Sequence, residues 1–330
     1  MLSSPQFRIL SPISLLLTWK DANQWEYRHD KPGNVGPTNQ SKGISMYDYH
    51  RVNEAIFSEL SPIIPEITSL SIGKLILRSV SAMMNCSPHQ NLFLGNILLV
   101  SPLILAGSQL ITQHHHRHNF EWDEFWDQVS SVLTQTTIQD TIDIIHAINL
   151  VSPGGLDRPG GNSLTSTFDI TESIIDQQVT TQNLHVLDLF QDSAHFDTIS
   201  AEWVSNYTLC KEWLINYIYP RHLTSQATNM QEYVLEMYLQ LLAMVPDSLI
   251  FRKNSQQVSE EIQREARVIV QAGSLFTTQG QKMLKVFRLR LNSSNGKLNP
   301  GTTADFIACL LFLATLLGRL PEYFHPLSPR

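Results

Sequence analysis

Four loops of this sequence are rich in glycine, proline and asparagine, and they raise the question of a binding site for phosphate. Each loop lies at a junction between apolar runs, where these residue types provide turns, positive φ angles and helix caps. The pattern has two interpretations, because the loops could be plain turns or could together form the wall of a ligand site. They are DKPGNVGPTN (residues 30–39), NLFLGN (91–96), SPGGLDRPGGNS (152–163) and NGKLNPGTT (295–303).

The fourth loop shows how the two interpretations compete. Thr302 is placed to cap the helix that follows, and Asp305, three residues later, is placed to reach back as a variant of the capping box. The same helix start exposes unpaired N–H groups at the positive end of a helix dipole, which suits a phosphate. Capping and phosphate binding are compatible, so the sequence leaves both roles open.

The helices that must position these loops follow from the apolar spacing. Apolar residues recur at helical intervals from about residue 45, as at Ile56, Leu60 and Ile63, and strand-like alternation is scarce. We therefore predict an all-α chain in which residues 1–330 form one domain of packed helices. Its first 30 residues contribute an N-terminal helix and a variable loop. Further helices are predicted at roughly 65–84, 94–113, 121–150 with a break near Thr136, 169–190, 198–218, 228–246, 255–271, 274–291 and 302–319.

Composition excludes several classes of partner. The 330-residue chain has a net charge of −7 and a pI near 5.9, which argues against nucleic acid and against an anionic membrane surface. No run of about 18 uninterrupted apolar residues predicts a membrane span. Cys86, Cys210 and Cys309 share no CxxC spacing, so a disulfide framework or zinc site is not expected. These features favour a reducing, cytoplasmic compartment.

Other conspicuous stretches are given structural interpretations. The run HHHRH (114–118) is interpreted as a solvated helix end or loop, since consecutive histidines of a helix cannot face one ion. The aromatic residues of NFEWDEFWDQ (119–128) are interpreted as a packing face, and His146 as a core histidine. The sequence contains neither a GxSxG elbow nor a phosphate loop of the GxxxxGK type, so any ATP site must be built from scattered helix starts and loops.

Taken together and in order, the loop sequences resemble the triphosphoribosyl-dephospho-CoA synthase family. The resemblance spans nearly the whole chain after residue 30, and VPDSLIFRKN and NPGTTAD carry its most specific parts. The matching blocks are KPGNV (31–35), NLFLG (91–95), TTIQD (136–140), HAINLVSPGGL (146–156), VPDSLIFRKN (245–254) and LNPGTTADF (298–306).

The resemblance implies an all-α enzyme that transfers the 5-triphosphoribosyl group of ATP to the 2′-hydroxyl of 3′-dephospho-CoA and releases adenine. The small-molecule substrates would be ATP and dephospho-CoA, with Mg²⁺ as the cation that accompanies a triphosphate. Breaking the N-glycosidic bond builds positive charge on the ribose, so acids are needed nearby. Whether the chain forms a homodimer is left open.

The resemblance also implies roles for individual residues. Asp140, Asp247 and Asp305 would be the catalytic acids, with Asp140 also a ligand of Mg²⁺. The alternative for Asp140 and Asp247 is an acid that serves only a helix N-terminus, and for Lys31 a solvated lysine beside a turn. The residues expected to hold ATP or its phosphates are Lys31, Gly33, Asn34, Asn91, Gly154, Gly155, Arg252, Lys253, Asn299 and Gly301.

The sequence departs from the family pattern at several polar positions. Gly36-Pro37 stands where a His-Arg pair is usual, Phe93 replaces an asparagine, and Asp157 replaces a glycine. Phe196 takes the place of an arginine, while the neighbouring acid is kept as Asp197. Three hypotheses follow: an active triphosphoribosyl transferase, a diverged relative with another ATP-derived or phosphoribosyl substrate, or a non-catalytic nucleotide-binding protein.

Overall fold

The computed structural model describes residues 5–151, 172–220, 226–322 and Phe324. These residues form an all-α fold, which confirms the predicted class, together with a short antiparallel pair of strands. The strands are β1 (Gln6–Arg8) and β2 (Asn119–Glu121). The α-helices are α1 (Pro12–Tyr27), α2 (Met46–Leu60), α3 (Ile72–Cys86), α4 (Leu94–Gln113), α5 (Trp122–Thr134), α6 (Ile138–Val151), α7 (Glu172–Gln182), α8 (Val186–Ser193), α9 (Thr198–Val204), α10 (Thr208–Trp213), α11 (Met230–Met244), α12 (Ser248–Lys253), α13 (Gln256–Gln271), α14 (Thr278–Asn292) and α15 (Gly301–Leu316).

Helix α1 begins at a sharply defined cap. The Ser11 hydroxyl accepts a hydrogen bond from the Ser14 N–H, the Ser14 side chain accepts one from the Ser11 N–H, and Pro12 occupies the first helical position. The N-terminal apolar run is therefore a helix, as predicted. The last two turns of α1 bury polar side chains as well as apolar ones, among them Asp21 and Glu26.

Two apolar helices, α4 and α15, form the centre of the molecule. Both are buried over most of their length, and they pack against each other and against α1. Helix α4 is long and apolar enough to cross a bilayer by length and composition, but 89% of its most apolar window is buried inside the protein. Such burial is typical of a core helix, in which apolar residues face neighbours on every side.

The helix predictions are wrong mainly where a proline (Pro65) or a residue with positive φ (Asn183, Asn206, Tyr207) interrupts the run. The predicted helix at 65–84 begins too early, because Ser61–Ser69 forms 3₁₀ turns around Pro65 and α3 starts only at Ile72. The break predicted near Thr136 separates α5 from α6. The predicted helices at 169–190 and 198–218 are each divided, since α7 ends before α8 and α9 ends before α10.

The aromatic stretch after α4 packs as the sequence indicated. Phe7 of β1 lies opposite Phe120 of β2, and its ring stacks on Phe125 with centroids 4.2 Å apart. Trp126 closes the cluster edge-on, 5.3 Å from Phe125. The histidines at 114–118 lie in an exposed turn after α4, which agrees with the interpretation as a solvated helix end.

Candidate functional site

A pocket lies where the start of α15 meets the start of α4, with α9, α12 and the last turn of α1 around it. Its walls combine carboxylates, amides, one guanidinium and aromatic rings, a mixture suited to a polar ligand that also has an apolar part. The pocket is lined by Glu26, Asn34, Val35, Tyr49, Asn91, Leu92, Phe93, Leu94, Gly95, Asn96, Leu98, Ile148, Phe190, Asp197, Ile199, Ser200, Leu249, Arg252, Asn299, Gly301, Thr302, Ala304, Asp305 and Ala308.

The fold brings many of the predicted ligand residues to this one pocket, although they lie far apart in the sequence. They come from three of the four polar loops, from α12 and from the first turns of α15. Asn91 has a second role as well, because its side-chain oxygen accepts a hydrogen bond from the Leu94 N–H at the start of α4. The predicted residues that line the pocket are Asn34, Asn91, Arg252, Asn299, Gly301 and Asp305.

Asp305 presents a carboxyl group at the start of α4. Its position requires a glycine opposite, since a Cβ built on Gly95 would lie 2.2 Å from the Asp305 Oδ2. Burial raises the pKa of Asp305 well above its ordinary value, and the nearby carboxylates of Glu26 and Asp247 raise it further. Arg252 and the Asn96 N–H act in the opposite direction. A carboxyl group in such surroundings is suited to hold and donate a proton.

The capping box predicted for Asp305 does not form. Pro300 occupies the cap position of α15 without a side-chain cap, and the Asp247 Oδ2 instead accepts hydrogen bonds from the Thr303 N–H (2.7 Å) and Oγ1 (2.9 Å). The Asp247 Oδ1 accepts one from the Ile250 N–H at 2.9 Å and so caps α12. Asp247 is buried and ties the starts of α12 and α15 together, which leaves Asp305 free to face the pocket.

Lys31 lies behind the pocket wall and is fully buried, so the interpretation as a solvated lysine is wrong. Its Nζ lies 2.9 Å from the Glu26 Oε1 and donates hydrogen bonds to the carbonyl oxygens of Glu26 and of His29, the latter at 2.8 Å. These three acceptors match the three hydrogens of an ammonium group. Lys31 therefore holds Glu26, a residue of the pocket wall, instead of presenting a free charge to a phosphate.

Gly33 and Lys253 hold loops together behind the pocket. Gly33 has a φ of +80°, its N–H donates to the Asn292 Oδ1 at 2.8 Å, and a Cβ there would lie 2.8 Å from the Leu298 carbonyl oxygen. The Lys253 Nζ donates to the Gly296 carbonyl oxygen at 3.1 Å, and burial lowers the pKa of Lys253 to about 8. Neither residue is part of the pocket lining.

Comparison with known proteins decides the family. Residues 19–322 match the model of the CitG family, described as ATP:dephospho-CoA triphosphoribosyl transferase. The chain belongs to this family. A crystal structure from Archaeoglobus fulgidus, described as a triphosphoribosyl-dephospho-CoA synthase, has the same fold with a TM-score of 0.56 at 19% identity, covering 82% of this chain and 99% of that chain. No curated protein matches the sequence.

Asp140, which the resemblance to this family implied to be a catalytic acid and a ligand of Mg²⁺, does not line the pocket. Its Oδ1 accepts from the Gly73 N–H at the start of α3, and its Oδ2 accepts from the N–H and the hydroxyl of Thr137. Burial would raise the pKa of Asp140, but these hydrogen bonds and one from Ser71 outweigh it and hold the pKa below its ordinary value. Gly154 and Gly155 lie outside the described residues.

This arrangement predicts a structural defect for Asp140→Asn. We expect the free energy of unfolding to fall by about 1–2 kcal/mol at pH 7, because the single oxygen of an amide cannot accept all of these hydrogen bonds. The folded pKa of Asp140 is lowered, so its stabilisation is present above the ordinary pKa and is lost as pH falls through the folded value. Urea unfolding at pH 7 and pH 3.5 measures this, and the two proteins should differ less at the lower pH. Unchanged stability with abolished turnover would instead support the predicted catalytic role.

Sequence reasoning missed two carboxylates of the pocket, Glu26 and Asp197, and a pair of aromatic rings. Glu26 could have been found as a carboxylate in the last turn of α1, shortly before the loop that contains Lys31. Asp197 is indicated by the sequence only as an acid kept beside Phe196. The rings of Tyr49 and Phe93 meet edge-on with centroids 5.3 Å apart on the pocket wall, and no sequence signal pairs them.

The contact between Gly95 and Asp305 predicts a loss of activity for Gly95→Ala. The added methyl group must displace both the Asp305 carboxyl group, whose Oδ2 lies 2.2 Å from the position of the new Cβ, and Ile199, whose Cδ1 lies 2.7 Å from it. We expect turnover to fall by about 10²-fold, as misplacing a side chain of an active site commonly does. Gly43→Ala is the control: a φ of +75° makes alanine strained there, but nothing lies within 4 Å of its Cβ position and Gly43 is not part of the pocket lining, so turnover should persist. Equal loss of turnover in both variants would contradict the expectation.

Proposed function

We propose that the protein transfers the 5-triphosphoribosyl group of ATP to the 2′-hydroxyl of 3′-dephospho-CoA and releases adenine. Membership of the CitG family supports a transferase of this type. The observation that carries the proposal is the convergence of the separated family motifs on one pocket, where Asp305 and Arg252 both belong to the lining. An acid and a cation at one site are what cleavage of a glycosidic bond in a polyphosphate substrate requires.

In this proposal Asp305 protonates the leaving base. The bond between ribose C1′ and the adenine nitrogen breaks, the base takes a proton from Asp305, and the acceptor 2′-oxygen forms the new bond to C1′. The proton of the acceptor hydroxyl returns to Asp305, so the overall reaction is balanced. The raised pKa of Asp305 supports this role. The carboxylates of Glu26 and Asp197 supply negative potential for the positive charge that develops on the ribose.

The triphosphate would lie against Arg252 and the start of α15, where Gly301 and Asn299 line the pocket. Mg²⁺ would enter as part of the substrate MgATP, because this ion is usually held by phosphates and water with one or two carboxylates. Among the described residues, no group of three or more histidine, cysteine, aspartate or glutamate side chains could hold a metal ion.

The proposal is tested by incubating the purified protein with ATP, Mg²⁺ and dephospho-CoA and measuring adenine by chromatography. We expect adenine only when dephospho-CoA is present, together with a product heavier than dephospho-CoA by one triphosphoribosyl group. Adenine that appears only with another acceptor would point to a diverged substrate. Binding of ATP without release of adenine would support a non-catalytic nucleotide-binding protein, and either result would overturn the proposal.

A further inference from the structure

The two oxygens of the Asp197 carboxylate have different partners: one caps a helix and the other binds Arg252. Oδ1 accepts hydrogen bonds from the Ile199 N–H (2.9 Å) and the Ser200 N–H (3.1 Å), and so caps α9. Oδ2 accepts a hydrogen bond from the Arg252 Nη1, across 55 residues of sequence. Asp197 is buried, and the Arg252 side chain is only 17% exposed. The pair therefore fixes the guanidinium at the pocket wall.

The Arg252 guanidinium also has one N–H donor without a hydrogen-bond partner. The Arg252 Nε is buried and has no hydrogen-bond partner among the described residues, and the same holds for the Asn299 Oδ1. Both residues line the pocket. Buried polar groups in folded proteins are nearly always paired, so an unpaired donor and an unpaired acceptor on one pocket indicate a polar ligand. A guanidinium N–H is a strong donor to a phosphate oxygen.

A pair of stacked rings supports the alignment of Asp197 with Arg252. Phe196, next to Asp197, and Phe251, next to Arg252, stack with centroids 6.0 Å apart and an interplanar angle of 22°. Phe196 is the position at which the family resemblance of the sequence implies an arginine. In this chain an apolar contact therefore joins the two segments that carry the ion pair.

We propose that Asp197 is a positioning residue that holds Arg252 so that its Nε–H binds a phosphate oxygen of the nucleotide. This inference rests on the proposed function for the identity of the ligand, a nucleoside triphosphate. Asp197 does not contact the phosphate itself: it fixes Arg252, and its negative charge contributes to the potential at the ribose. The phosphate replaces no existing partner of Nε, because that donor is unpaired among the described residues.

The variant Asp197→Asn separates this role from helix capping. Asparagine caps a helix as well as aspartate does, so the bonds to Ile199 and Ser200 persist, while the amide N–H₂ in place of Oδ2 can no longer accept from Arg252. We expect the dissociation constant of MgATP, measured by calorimetry, to rise about tenfold or more, with a matching rise in KM. The dissociation constant of adenosine, which lacks phosphate, should stay within about twofold of the wild-type value.

The control is Glu59→Gln, which removes an exposed carboxylate paired with Arg78 at 3.0 Å and should change neither constant. Phe196→Leu provides a second variant if Asp197→Asn does not fold, and it should weaken MgATP more than adenosine. Unchanged MgATP binding, or equal weakening of MgATP and adenosine, would overturn the inference. If the wild type binds MgATP but never releases adenine, the proposed function fails while the positioning role of Asp197 stands.

Discussion

Replacing Asp305 by asparagine is expected to lower dephospho-CoA-dependent adenine release by about 10²–10⁴-fold, the usual contribution of a positioned general acid. The amide has nearly the shape of the carboxyl group and fits against Gly95, but it cannot donate a proton to the leaving base. The decrease should lie in kcat, because the interaction with the base strengthens only as the glycosidic bond breaks. Initial rates of adenine formation over a range of ATP concentrations measure it.

The same variant should be more stable than the wild type at neutral pH. The folded pKa of Asp305 is raised above its ordinary value of 3.8, so the folded state binds the proton more tightly than the unfolded state. Its favourable contribution is therefore complete below pH 3.8 and is lost as pH rises through the folded pKa. Asparagine removes this titration and the repulsion from Glu26 and Asp247. Stability gained together with activity lost is characteristic of a functional residue.

Urea unfolding at pH 7.5 and pH 4.5 tests the second half of the expectation, and the gain should shrink at the lower pH. Asp192→Asn is the matched control, since Asp192 is exposed on α8 and outside the pocket. This control should leave adenine release unchanged. An Asp305→Asn protein that is both active and no more stable than the wild type would remove Asp305 from the proposed chemistry.

The largest effect on stability is expected for Lys31→Met, at about 3–5 kcal/mol of unfolding free energy. The substitution leaves the buried Glu26 carboxylate and two carbonyl oxygens without their shared donor. Burial already raises the pKa of Glu26, and Lys31 is the group that opposes this rise. Without Lys31 the folded pKa of Glu26 rises further, so the loss should be greatest at high pH and smaller as pH falls.

Denaturant unfolding of Lys31→Met at pH 6 and pH 8 measures this expectation. The double variant Lys31→Met/Glu26→Gln is the decisive control, because it removes the uncompensated charge and should recover much of the lost stability. Equal stability of the single and double variants would show that the ion pair with Glu26 is not what Lys31 contributes. If the single variant kept full stability and lost only MgATP binding, Lys31 would act directly on phosphate, as the sequence first indicated.

Local patterns predicted the helices and the loops well because both depend on neighbours in sequence. Apolar spacing is set by the helical repeat, and the positions of glycine and proline limit where a helix can start or end. The 3₁₀ turns around Pro65 and the division between α7 and α8 were missed, since short interruptions depend on packing as much as on propensity.

The site residues were predicted less accurately than the helices, and two acids with nearly the same local sequence show why. Asp140 in TTIQD and Asp305 in TTAD both follow a pair of threonines at a helix start. The Asp140 carboxylate turns back to Thr137 and to Gly73 of α3, whereas Asp305 faces α4 because Asp247 already binds Thr303. The two carboxylates have different partners because of residues that are distant in sequence and are brought together only by the tertiary fold. The burial of Lys31 against Glu26 is of the same kind.

A crystal structure of the protein with MgATP and no acceptor would show directly whether this pocket binds the nucleotide. The triphosphate should lie beside Arg252 and the start of α15, with a purine nitrogen within hydrogen-bond reach of the Asp305 carboxyl group. A nucleotide bound outside this pocket, or bound in it with the glycosidic bond remote from Asp305, would show that Asp305 does not protonate the leaving base.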